Sequence, residues 1–420
     1  MGIAGTTAAI DVDALRVGMF VHLDVGWMAH PFPLSSFKIA AVEQIATIRS
    51  LGLKQVRWSP EHSEPEAPPV SLVLSATHAA PVDPEAAARR ERREALAAQR
   101  AALTLCERQF AEATRECRQI TDLVRVAPTA ASEKAHALSR TLVDKMLAER
   151  ELCIRLLTEG AGDMASAHAM NVTVISLLMG RSFGFCETDM LDLGVGAMLH
   201  DIGKVDLPER ARHRGDDFSA AEAKRYEEHV THGVDHALKM ALSPLATLVI
   251  SQHHEHADGS GFPLALGSER MTPASSIVAL VDRYDTLCNP PLAAQALTPH
   301  EAVSLLFAQG KNRYDPAVLS GFIKMLGVYP PGSVVQLTDD RFAIVVGANS
   351  SRPLKPRVLA HDPKVPADEA LIIDLEAATN LGIRRSIKPA ALSRDALAAL
   401  SPRRRVAYFF EPVHDAAWAA

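Results

Sequence analysis

Nine of the chain's 17 histidines fall between positions 200 and 300, several of them beside a carboxylate. A hydrophobic core gains nothing from so much imidazole, because a buried polar ring costs free energy unless something pairs with it. Imidazole nitrogens together with carboxylate oxygens suit Mn, Fe, Ni or Zn, and the near absence of neighbouring cysteine argues against a thiolate site. Four separated segments carry the pattern: His200-Asp201 at the end of a helical stretch, His229 one turn before Gly233, His253-His254, and Asp282. An adjacent His and Asp at a helix end can serve neighbouring ions, with the carboxylate bridging them. Buried imidazoles and carboxylates at this density are costly unless metal neutralises them. The stretch reads as a hydrolytic metal centre.

The surroundings fit a multidomain, mainly α protein. Residues 1–80 read as a small α+β domain: VGMFVHLDV (17–25) and LKQVRWS (53–59) are strand-like, and 35–52 has helical spacing closing on Gly52. WMAHPF (27–32) carries His30, an ordinary loop histidine with nothing nearby to complete a site. A Pro- and Glu-rich linker (59–69) follows. Residues 81–159 read as a helical connector: one helix from Asp83-Pro84 to about Val124, its Arg and Glu on a solvated face, and a second running to about Glu159. Residues 160–328 are helical throughout, with His168 on an inward face. Residues 329–420 read as a small β-rich appendage without a catalytic signature, and its basic stretch 385–406 reads as a solvated face.

Bulk properties narrow the class. A formal charge of −6 invites neither a nucleic acid polymer nor an anionic membrane. The five scattered cysteines read as reduced thiols, and no apolar run approaches membrane-spanning length, so a soluble cytoplasmic protein is expected.

Residues 160–328 resemble the HD-GYP phosphodiesterases, the HD metal-dependent phosphohydrolases that cleave cyclic di-GMP. The likeness rests on HDIGK (200–204), the His229–Gly233 spacing, HHE (253–255) with DGSGFP (258–263), VDRYD (281–285) and RYDP (313–316). Residues 8–75 resemble the uncharacterised domain found upstream of many such proteins, through LRVGMFV and WMAHPF. The resemblance implies an all-α HD-type helical bundle. It implies two divalent ions, iron or manganese first and nickel, cobalt or zinc after them. His200, Asp201, His229, His253, His254 and Asp282 would be the ligands, Asp201 bridging. Asp201 and Lys204 would be catalytic, Lys204 offsetting charge on the phosphate, and His168, Lys204, Gly259, Gly261 and Asp285 would contact substrate. Met164 stands where three-metal members have a Glu, so a two-metal site is expected.

Two departures bear on activity. Phe262 replaces the signature tyrosine, keeping the ring and losing the hydroxyl. Pro291 and Ala294 replace the Arg and the basic residue that grip substrate phosphates, with Arg283, Lys311 or Arg313 as substitutes. Hydrolysis of cyclic di-GMP to pGpG or GMP is the leading expectation. The alternatives are a metal-retaining signalling protein of little activity, or a phosphohydrolase for another nucleotide. A homodimer through the connector helices and a diguanylate cyclase partner are further expectations.

Overall fold

The computed structural model describes residues 7–25, 36–64, 84–158, 162–212, 218–310, 312–349, 352 and 354–413. The chain forms two compact units, Met1–Arg89 and Arg90–Ala420. Among the described residues, no helix is long and apolar enough to cross a membrane.

In the first unit, β1 (Ala8–Asp11), β2 (Phe20–His22), β3 (Ser36–Lys38) and β4 (Gln55–Ser59) make an antiparallel sheet in the order β1-β4-β2-β3. Helix α1 (Val42–Ser50) turns Ile45 and Ile48 into a core with Val12, Met19, Val21, Ile39 and Val56. The single helix expected over 35–52 is therefore corrected: its first turn is β3, where Phe37 pairs with Val21 and Ser36 with His22. Helical spacing of apolar residues could not reveal that β2 needed a neighbour on that edge. WMAHPF, with His30, and the linker beyond Glu64 lie outside the described residues.

Helix α2 (Pro84–Leu123) leads into the second unit. Cys106, Phe110, Ala113, Cys117 and Ile120, with Val124 just beyond, recur every three or four residues and are all buried. The Phe110 ring meets Phe409 at 6.4 Å, and Gln99 exchanges two hydrogen bonds with the Ile372 backbone. A solvated face thus describes only the start of α2; its second half is spent on its own chain. Helix α3 (Pro128–Ala148) likewise buries Leu138, Leu142 and Met146. The expected continuation of this helix to Glu159 is also corrected. Glu149 is extended, and Leu152–Leu156 form β5, every residue of it buried. A short apolar run does not distinguish strand from helix by itself, and tertiary pairing decided.

The helical bundle comprises α4 (Met164–Ser182), α5 (Glu187–Leu199), α6 (Ala220–Lys239), α7 (Pro244–Gln252), α8 (Pro273–Cys288), α9 (Pro299–Gln309) and α10 (Pro316–Leu326). Its boundaries follow cap chemistry. The side chains of Asp163, Ser219, Ser243, Thr272, Thr298 and Asp315 each accept from the first turn, four of the six followed directly by Pro. Helix α4 is buried from Ala169 to Gly180, as its unbroken apolar run requires, and packs on α5 and α8. Helix α7 packs on α5, α6 and α8.

Beyond it lie β6 (Val334–Leu337), β7 (Phe342–Asn349), β8 (Arg357–Ala360), β9 (Ile372–Asp374), β10 (Ile383–Ser386), α11 (Arg394–Leu400) and β11 (Tyr408–Pro412). Their sheet runs β10-β6-β7-β5-β11, with β8 pairing β7 and β9 pairing β8. Strand β5, which precedes β11 by 256 positions, pairs Ile154 with Phe410 and with Ala348, so this sheet encloses a strand from before the bundle.

Candidate metal centre

The His-Asp dyad sits where α5 ends. His200 is the residue capping α5, and Asp201 opens a 3-10 turn, Ile202–Asp206. The last carbonyls of a helix lack intrahelical partners. The His200 ring uses this: its Nδ1 donates to the Ala197 carbonyl at 2.7 Å. His253, capping α7, does the same to Ile250 at 2.8 Å, and His229 in α6 to Tyr226 at 2.5 Å. His168 in α4 instead directs Nδ1 to Asp285 Oδ2, 2.6 Å away. A carbonyl oxygen can only accept, so in each ring facing one Nδ1 carries the hydrogen and Nε2 presents a lone pair.

Those lone pairs face one another. His229 Nε2 lies 3.3 Å from His253 Nε2, and His168 Nε2 lies 3.2 Å from both His200 Nε2 and Asp282 Oδ1. Asp201 spans the two groups. Its Oδ1 is 3.5 Å from His229 Nε2 and 3.6 Å from His253 Nε2, and its Oδ2 is 3.5 Å from His200 Nε2 and 3.7 Å from His168 Nε2. Two ligands about 2.1 Å from a common ion stand roughly 3.0–3.4 Å apart, so these separations suit atoms gathered around cations. Asp201 Oδ1 is buried and accepts no hydrogen bond, the state of an oxygen reserved for a metal. Two groups able to hold an ion result: Asp201, His229, His253 and His254, beside His168, His200 and Asp282. The residues fit a metal site.

Electrostatics agree. Burial pushes the His229 pKa down to about 3 and lowers those of His253 and His254, keeping these rings neutral as ligands must be. Burial would raise the Asp201 carboxyl, but Lys204 and His200 hold it well below the usual carboxylate range. Lys204 Nζ is 2.6 Å from Asp201 Oδ2 and lies over the Tyr226 ring; burial opposes its charge, and Asp201 more than restores it. At His168 burial is outweighed by Asp282 and Asp285, which raise its pKa to about 10. That position favours a positive charge.

Six of the expected ligands, His200, Asp201, His229, His253, His254 and Asp282, converge, and so does His168, whose Nε2 stands among His200 and Asp282 rather than out in the cleft. Asp285 is corrected. It is fully buried, one oxygen taken by His168 and the other by Asn171 and Asn289 at 2.8 Å each, so its carboxylate is spent on orienting His168 rather than on a substrate. Gly259 has φ +73°, and Gly261 lies in the turn beside the site; a Cβ there would come within 2.5 Å of the backbone of Glu255, His254 and His256. The Phe262 ring lies 4.6 Å from His254. His232 and His236 do not orient His229; His236 pairs with Asp206 at 2.6 Å. Sequence reasoning missed Tyr226, Asn171 and Asn289, which belong to no metal pattern. Their roles follow only from proximity. His168, Asp201, Lys204, Tyr226, His253, His254, Gly261, Phe262 and Asp282 border one cleft of about 1130 Å³, above the roughly 300–1,000 Å³ of ordinary small-ligand pockets.

A helical bundle with a His-Asp dyad at one helix end and histidines from three further helices facing it is an HD domain, and the HD domain family matches residues 129–318. Residues 7–147 match a domain of unknown function, DUF3391, so this chain joins a DUF3391 domain to an HD domain. A Pseudomonas aeruginosa protein named as a cyclic di-GMP phosphodiesterase is 27% identical over 356 residues, covering 83% of this chain and 84% of its own length. A Vibrio cholerae phosphodiesterase named as specific for 3′3′-cGAMP is 26% identical over 182 residues, 42% of this chain and 35% of that protein. Among solved structures, an HDG"Y"P protein from Bdellovibrio bacteriovorus aligns over 76% of this chain and 98% of its own, with 13% identity and a TM-score of 0.42.

Proposed function

We propose that this protein is a phosphodiesterase of the HD-GYP type that hydrolyses cyclic di-GMP to pGpG or GMP in the bacterial cytoplasm, using two divalent ions, iron or manganese. The observation that carries the reading is Asp201, one oxygen turned to His229 and His253 and the other to His200 and His168. When bound, such ions lower the pKa of water and neutralise charge on phosphoryl oxygens. The protein's own residues do the rest. The backbone carbonyls of Ala197, Tyr226 and Ile250 aim the imidazoles, and Asp285 aims His168. Lys204, beside Asp201, offers positive charge to the phosphoryl oxygens as the P–O bond breaks. Gly261 lets its turn close on the backbone of residues 254–256, which fixes the wall of the cleft beside His254.

The test is to load the purified protein with Mn or Fe and follow cyclic di-GMP by chromatography. Turnover that is lost with a chelator and in Asp201→Ala is the expected result; an inert wild type, or an active Asp201→Ala, rejects the reading. A second reading, hydrolysis of another cyclic dinucleotide, is favoured by the absence of any cation in Asn289–Ala294, and 3′3′-cGAMP run in the same assay separates the two.

A further inference from the structure

A cyclic dinucleotide carries two phosphodiesters, and the metal centre with Lys204 can engage only the one being cut. The second needs its own cation. Asn289–Ala294, the segment bordering the cleft after α8, supplies none. Arg118, Arg212, Arg283 and Arg313 on the cleft are exposed, whereas the C-terminal stretch just before β11 supplies a half-buried arginine, because Arg405, Val406 and Ala407 line the same cleft.

The chain at this point is held on both sides. The Val406 N–H donates to Asn289 Oδ1 at 2.8 Å, and its carbonyl accepts from Asn289 and Asn171 at 2.9 and 3.0 Å. The Tyr408 N–H donates to Asn171 Oδ1 at 3.0 Å. The same two asparagines hold Asp285, which holds His168, so Arg405 is positioned by the groups that position the metal centre. Val406 and Ala407 are buried, whereas the Arg405 side chain is half-buried. Its guanidinium has no hydrogen-bond or ion-pair partner among the described residues, unlike Arg403, which donates to Ser401. A guanidinium is weakly hydrated, always charged, and shaped to take two oxygens of a phosphate at once.

We propose that Arg405 grips the phosphate that is not cleaved, so that the C-terminal sheet supplies the phosphate clamp of the cleft. This rests on the cyclic dinucleotide reading above. The stretch 385–406, which reads from sequence as a solvated face, thus ends in residues that face the site.

The experiment compares full-length wild type, Arg405→Ala and Arg405→Lys, each checked for equal metal content by mass spectrometry. Calorimetry gives Kd for cyclic di-GMP, and kinetics give kcat/KM for cyclic di-GMP and for bis(p-nitrophenyl) phosphate, which has a single diester. Loss of a charge-assisted hydrogen bond predicts a Kd about 10- to 100-fold weaker in Arg405→Ala. Arg405→Lys should recover part of it, and preference for cyclic di-GMP over the single diester should fall by a similar factor. Equal Kd in all three proteins, no binding by any, or an undiminished preference overturns the inference. A wild type that binds through Arg405 without turnover rejects the phosphodiesterase reading and leaves the clamp standing.

Discussion

Asp285 shows how much of the centre lies behind its ligands. Its carboxylate is fully buried, with Asn171 and Asn289 on one oxygen and His168 on the other. Removing it frees the His168 ring to turn and takes from the Asn171 and Asn289 amides one of their two acceptors, leaving them only the Val406 carbonyl. Groups of this kind typically account for about 10- to 100-fold in metal affinity. Asp285→Ala should therefore lose metal to a competing chelator at about 10- to 100-fold lower chelator concentration than wild type, with Asp285→Asn between them. An unchanged competition curve for Asp285→Ala would show that His168 needs no such support. The ligands were legible from residue type and spacing, since imidazole and carboxylate are unusual on inward helix faces. Asp285 carried the same chemical signal as a ligand, and only its burial separates the two roles. Arg405 carried no signal at all, because a basic stretch reads the same whether it faces water or a cleft.

Among the elements, the turn after α5 is the most constrained. Gly203 abuts α6 so closely that a Cβ would collide with the His229 carbonyl and approach the Gly233 nitrogen. Both obstacles are backbone, so no side chain can swing aside. Gly203→Ala should cost about 1–3 kcal/mol or more by overpacking and displace the helix that carries His229. A melting temperature several degrees lower, together with reduced metal content, is the expected outcome. A stable, fully metallated variant would mean that α6 can shift freely. Helix positions were readable because caps are local chemistry: Thr298 with Glu301 and Ser219 with Glu222 announce their own helix starts. Strands β3 and β5 were not readable, since each is defined by partners remote in sequence.

The second unit is bound together by its C-terminal sheet. Strand β5 sits between β7 and β11, Phe409 packs against the buried stripe of α2, and Val406 is hydrogen-bonded to both asparagines behind the metal centre. The apolar stripes of the connector helices α2 and α3 are buried within the chain itself, so a homodimer through these helices would have to use their other faces. A fragment of residues 84–328 should lack a cooperative thermal transition and bind a hydrophobic dye, because β5 and the α2 stripe lose their cover. A fragment melting cooperatively within a few degrees of the full chain would contradict this. The sequence by itself determined the helical bundle, its caps, the two flanking sheet regions and the residue types of the centre, because periodicity, capping and ligand chemistry act over a few neighbouring positions. Only the tertiary structure decided that Asp201 faces two groups of ligands, that Asp285 stands behind His168, and that β5 and Arg405 belong with distant elements. Those arrangements depend on contacts between residues tens to hundreds of positions apart, for which a local pattern holds no record.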